Sequence, residues 1–128
     1  MPFEFVIHDE DRILEVIYPA SPAAGDVTDY TTRVRAAIDS FGGQDWSSLV
    51  DQSELQVLPP DLLRAVTQMN LYAANHGMVR TARVVADAAS GLQAWKMGKA
   101  AGLSVPIQTF PSREEAVDWI RAETGLEE

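Results

Sequence analysis

Apolar and polar positions alternate through residues 3–8, FEFVIH, with the two-residue period of a half-buried strand. Residues 9–11, DED, read as a turn. Residues 12–19, RILEVIYP, make a second β-rich run that Pro19 ends. The two runs are close enough for a hairpin, and 20–25 is a loop. From Asp26 the period changes: Val27, Tyr30, Val34, Ala37, Ile38 and Phe41 recur at helical spacing until Gly42 and Gly43 stop them. Residues 46–51, WSSLVD, form a short strand. Pro59 and Pro60 then open a helix, where the missing N–H is harmless. Leu62, Val66, Met69 and Ala73 share one face of it, and Asn75, His76 and Gly77 end it.

The second half repeats the alternation. Residues 82–88, ARVVADA, read as a buried strand. Ser90 and Gln93 match a capping box that opens a helix to about Ala101, with Gly102 closing it. Residues 105–110, VPIQTF, are a short strand. Ser112 and Glu115 form a second capping box, and Ala116, Val117 and Ile120 line one face of the last helix. The expected order is β-β-α-β-α-β-α-β-α. Strands that alternate with helices after a hairpin imply a mixed, mostly parallel sheet in an α/β domain. No linker or repeat interrupts the pattern. We therefore expect one domain over 1–124 and a frayed tail at 125–128.

Composition adjusts this picture in three ways. A chain of 128 residues that is 46% hydrophobic fits one domain with one ordinary core. No apolar run nears the ~20 residues that span a bilayer, and the opening MPFEFVIHDED lacks the basic region of a signal peptide. The absence of cysteine removes disulfides, thiolate catalysis and cysteine metal sites, which fits a cytoplasmic protein. The net charge is −9, from 10 basic and 19 acidic residues. The basic residues are scattered, so neither nucleic acid nor an anionic membrane surface is an expected partner.

The residues that could carry chemistry have plain structural readings beside the functional ones. Asp51, after a strand, imitates the phosphoacceptor of a response-regulator receiver, with HDED and Ser90 as further imitations. HDED leads into a strand, however, and no lysine follows the fifth strand. Asp51 is expected to accept backbone hydrogen bonds in a turn. A nucleophilic Ser53 would need an oriented base, and the chain has only His8 and His76, neither in a recognisable motif. Asp9, Glu10 and Asp11 lack the spacing of a calcium loop and read as a solvated turn. Ser90 and Gly91 begin a helix after a strand, where open α/β sheets often hold ligands. Lys96 and Lys99 lie nearby, though a capping role explains Ser90 by itself. In the same helix, Ala94, Met97, Gly98 and Ala101 make a small-residue face for packing. That turns Leu92, Trp95 and Lys99 elsewhere, either toward a groove or partner or over a neighbouring helix.

Several stretches together resemble a known family: RILEVIYP, SLVDQSEL at the third strand, ARVVADA at the fourth, and IQTFPSREEAVDWI with its Ala116 and Trp119. Their order resembles, over nearly the whole chain, the STAS domain of anti-sigma-factor antagonists. Within that family it is similar to a bacterial STAS-like set related to the CRAL-TRIO lipid-binding fold. The resemblance implies a regulatory scaffold. Antagonist-type members carry a phosphorylated Ser or Thr near the start of the second helix. Here that junction reads Leu58, Pro59, Pro60, Asp61, Leu62, without a hydroxyl, so the phosphoswitch does not carry over.

The sequence thus points to a non-catalytic regulatory or accessory binding module for a protein partner or a small apolar ligand, with no resident metal or cofactor and with a homodimer compatible. The candidate surface comprises Gln52, Ser53, Leu55, Asp61, Ser90, Leu92, Trp95 and Lys99. A lipid or hydrophobic-ligand carrier is the alternative. A hydrolase using Ser53 or Asp51 ranks behind it.

Overall fold

The computed structural model describes residues 2–56, 59–87, 89–92, 96, 99 and 105–124. Trp95, Gln93, the small-residue face and the 125–128 tail lie outside them. Among the described residues the elements are β1 (Glu4–His8), β2 (Ile13–Ile17), α1 (Ala24–Ser40), β3 (Trp46–Asp51), α2 (Pro60–Ala74), β4 (Met78–Val84), β5 (Ile107–Phe110) and α3 (Arg113–Thr124). Residues 89–92, with 96 and 99, are helical between β4 and β5. The five strands form one sheet in the order β1-β2-β3-β4-β5. β1 runs antiparallel to β2, and every later neighbour is parallel. The expected α/β fold and element order are what the chain adopts.

The sheet is buried on both faces through its middle. Leu14 and Val16 of β2 and Val50 of β3 pack beneath Tyr30, Val34 and Ile38 of α1 and Leu62, Val66 and Met69 of α2. Ile13, Leu49, Ala82 and Val84 point the other way, against Ala116 and Ile120 of α3. This alternation follows from the two-residue period of a strand. The parallel strands therefore read as near-continuous apolar runs. Between the sheet and the α1–α2 pair the enclosed space is only ≈20 Å³, room for about one water.

Several boundaries move from their sequence positions, each for a physical reason. α1 starts two residues before Asp26, and Asp26 Oδ2 accepts the Ala23 N–H at 2.9 Å. The acid thus serves from inside the first turn. β4 runs from Met78 to Val84 rather than from 82 to 88: Arg80 and Thr81 interrupt the apolar pattern, yet Arg80 Nη1 donates to Ser47 Oγ of β3 at 3.0 Å and Thr81 is buried. Arg83 is accommodated by donating to Thr81 Oγ1 and to Asn70 Oδ1, both at 3.1 Å. The capping box at Ser90 is corrected: Ser90 already lies inside the helical stretch. The residue that caps is Asp87, whose Oδ1 accepts the Ser90 N–H at 2.8 Å. At the second box Ser112 caps as read, with the Glu115 N–H donating to Ser112 Oγ at 3.3 Å, while Glu115 answers through its side chain, Oε2 accepting from the Ser112 hydroxyl at 3.0 Å. Gly77 ends the α2 turn with φ of +97°, and a Cβ there would run into the Gln44 carbonyl oxygen. Only glycine fits that crossing.

Candidate functional site

The parallel strands β2, β3 and β4 all finish at one edge of the sheet, and hydrogen bonds beyond their ends hold the following loops. Tyr18 N–H donates to Asp51 O at 2.9 Å, Gln52 N–H to Val84 O at 3.0 Å, and Gln56 N–H to Ala20 O at 2.9 Å. Asp51 then closes a small turn. Its Oδ1 accepts the Ser53 N–H at 3.0 Å and the Ser53 hydroxyl at 2.6 Å. This is the turn role anticipated for Asp51, and the Ser53 proton is committed to it.

These loops wall an open groove of ≈600 Å³. Its apolar lining includes Pro2, Ile17, Tyr18, Pro19 and Leu55, and its polar lining Glu4, Ser53, Glu54, Gln56, Asp87 and Ser90. Among the described residues that line it there is no lysine or arginine. Tyr18 forms a rigid end wall: it is 4% exposed and meets Phe3 edge-on at 5.2 Å between ring centroids. Burial pushes the Tyr18 phenol up, and pushes Tyr30 behind it well up, so both remain neutral donors. Hydrogen bonds from Ser90 hold the Asp87 carboxyl below the usual range. Three carboxylates thus face a partly apolar trough without a lining cation.

Of the residues singled out from sequence, Ser53, Leu55 and Ser90 meet in this groove. Gln52 sits beside it, fixed by its backbone bond to Val84. Asp61 does not line it; its carboxylate pairs with Arg64 at 3.2 Å on the surface of α2. Leu92 is 54% exposed outside the lining. Lys99 is exposed and likewise outside it, and Trp95 lies outside the described residues. Sequence reasoning missed Glu4, Tyr18 and Asp87.

It also missed a buried ion cluster on the α3 face. Glu15, 3% exposed in mid-β2, receives Arg113 Nε at 2.6 Å and Nη2 at 3.0 Å. His8 Nε2 lies 2.8 Å from the same carboxylate. The Arg113 hydrogen bond holds the Glu15 carboxyl below its ordinary value against the opposing effect of burial. The signal in the sequence was an acid at the centre of an apolar strand.

Register separates the histidines from Ser53. His8 is level with Ile13, whereas Asp51 is level with Ile17. Four strand residues span ~13 Å, so His8 is far beyond hydrogen-bond reach of Ser53. His76 lies at the opposite end of the sheet, where its carbonyl accepts Trp46 Nε1–H at 2.8 Å. Ser53 has no histidine base.

No protein-family model matches the sequence, and no curated protein matches it. Solved structures do resemble it. An uncharacterised protein of the DUF3478 family with a SpoIIAA-like fold, from Shewanella loihica, superposes with a TM-score of 0.75 at 15% identity, covering 93% of each chain. The chain has the STAS-like fold. A second structure, an anti-sigma-factor antagonist (STAS) domain protein from Planctomyces limnophilus, superposes with a TM-score of 0.60 at 10% identity. That match covers 92% of this chain and 97% of the other. Among the described residues no helix is long and apolar enough to cross a membrane.

Proposed function

We propose that this STAS-like domain is a non-catalytic binding module that takes a basic, partly apolar segment of a protein partner into the groove at the carboxyl ends of its strands. The observation that carries this reading is the lining: Glu4, Glu54 and Asp87 surround Ile17, Tyr18 and Leu55, with no lysine or arginine among the described residues that line it. Opposite charge steers such a segment in, and the apolar floor retains it. The place agrees with the general rule that open α/β sheets bind at the carboxyl ends of their strands. The fold shared with an anti-sigma-factor antagonist supports a protein as the partner, and a cytoplasmic setting suits that role. A hydrolase is not favoured, because the Ser53 hydroxyl is held in the turn by its hydrogen bond to Asp51 and neither histidine lies within reach of it.

The test uses fluorescence anisotropy with two sets of short labelled peptides. One set has lysine or arginine flanking leucine, and the other has the same apolar residues with acids. The basic set binds, and binding weakens between 50 and 300 mM salt by about an order of magnitude. Equal binding of both sets, or of neither, rejects the reading. The groove's ≈600 Å³ also lies within the ~300–1,000 Å³ range of small-ligand sites. A small apolar ligand is therefore the second reading, and native mass spectrometry of freshly purified protein would reveal it as a bound mass.

A further inference from the structure

The two edges of the sheet are guarded unequally. β5 is four residues long, and Pro106 and Pro111 stand immediately before and after it. Proline and short length are the usual means of blunting an edge. β1, at the other edge, has none of these inside it. It pairs with β2 over five residues without a bulge, contains no lysine or proline, and among the described residues no strand pairs with its outer side. It also carries Val6 and Ile7, 42% and 39% exposed. An open, apolar strand edge is a template for another strand.

The sequence of β1, Glu-Phe-Val-Ile-His, is complementary to itself when reversed. An antiparallel pairing of two copies centred on Val6 sets Glu4 opposite His8, Phe5 opposite Ile7, and Val6 opposite Val6. Acid with histidine, aromatic with β-branched, and β-branched with itself are all favourable cross-strand pairs. Pairings centred on Phe5 or Ile7 lose the charge match. The geometry points to β1 as a self-association edge, through which two copies of this chain join their sheets across a two-fold axis. Such a contact is small against the ~1,600 Å² of a standard interface, and each copy carries a charge of −9. The dimer is accordingly weak, concentration-dependent and strengthened by salt. This association needs no partner in the groove, so it is separable from the binding reading.

The absence of cysteine gives a register-specific test. Val6→Cys places two thiols directly opposite, within the ~4.5–5.5 Å Cβ separation of a facing pair. Glu4→Cys places them four strand residues apart, ~13 Å. Under mild oxidation at high protein concentration, Val6→Cys is expected to yield a disulfide-linked dimer and Glu4→Cys to stay monomeric. Circular dichroism establishes that both variants fold. On wild-type protein, sedimentation over a concentration series in 0.5 M salt is expected to show a monomer–dimer equilibrium, weakened about tenfold or more by Val6→Lys. A wild type that is monomeric throughout, or a Glu4→Cys variant that cross-links as readily as Val6→Cys, overturns the proposal.

Discussion

The two ends of the sheet bury similar chemistry to opposite effect. At the amino end, a pocket of ≈220 Å³ is lined by Asp11, Arg12, Asp45, Trp46, Arg80 and Glu123 among others. Both signs of charge are present, and the arginines have structural partners: Arg12 Nε donates to Asp45 O at 2.7 Å, and Arg80 Nη1 to Ser47 Oγ at 3.0 Å. At the carboxyl end, the larger groove holds acids alone. Among the described residues the Glu4 and Glu54 carboxylates have no ion pair or hydrogen bond there. Polar groups that satisfy one another belong to the scaffold. Groups left facing solvent with one sign of charge are available to a partner. Substitutions at the amino end should therefore cost stability, and substitutions at the carboxyl end should cost binding.

The largest expected effect is at the amino end. Trp46 is 2% exposed, stacks on Phe41 with centroids 5.3 Å apart, and donates to His76 O. Trp46→Ala should cost ~3–5 kcal/mol in denaturant melts. A loss below ~1 kcal/mol would show that the amino end is not the rigid half of the molecule.

The second effect comes from between the ends. Breaking a buried ion pair from one side costs ~3–5 kcal/mol. Arg113 is half-exposed, and its charge stands at the start of α3, where the helix dipole opposes it. Arg113→Ala should therefore cost about 2 kcal/mol at neutral pH. The sign of the pH dependence follows from the lowered pKa of Glu15. Its contribution is complete above the ordinary glutamate value of ~4.3 and is lost as pH falls through the lower folded value. Melts of wild type and variant should converge in that acid range. A gap that stays constant to pH 3 would remove Glu15 as its source.

How much of this was legible beforehand depended on whether a residue acts through its neighbours in sequence or across the fold. The element order, the strand at Trp46–Asp51 and the Ser112 cap rest on local periodicity and local hydrogen bonds, and they stand as read. The Asp51 turn was legible for the same reason. β4 was placed four residues late because Arg80 and Thr81 break the apolar pattern, and what accommodates Arg80 is Ser47 on the neighbouring strand. The groove was half legible. Ser53, Leu55 and Ser90 lie in loops that a parallel sheet must bring together. Glu4 reaches it through the β1–β2 hairpin, which was legible and sets Glu4 level with Ile17, but neither Glu4 nor Tyr18 sits in a local motif that marks a groove.

A third, smaller effect tests the loop itself. Ser53→Ala removes a hydroxyl that donates to Asp51 at 2.6 Å while the backbone N–H bond remains. The expected cost is about 1 kcal/mol, with peptide binding reduced less than threefold, since only one wall of the groove loosens. Abolished binding at unchanged stability would make Ser53 a contact residue and not a loop brace.

The smallest effect on stability should accompany the largest effect on binding. Glu54 is exposed in the turn after β3 and lines the groove. An exposed side chain without an internal partner changes stability by less than ~0.5 kcal/mol when replaced. Glu54→Lys also lowers the net negative charge, which relieves self-repulsion in a chain at −9. Its melt should therefore coincide with that of the wild type. In the groove the same change sets a cation beside Glu4 and Asp87, neutralising part of their field and repelling an incoming basic segment. Binding of the lysine- and arginine-containing peptides should fall about tenfold or more, equivalent to ~1.4 kcal/mol, and salt should then matter less. Asp45→Lys at the amino end supplies the control, being the same kind of charge reversal in the balanced pocket. If both variants weaken peptide binding equally, overall charge is responsible, and the two ends of the sheet do not differ in function. If Glu54→Lys alone weakens it while both still fold, the unpaired acids of the carboxyl end are the binding surface.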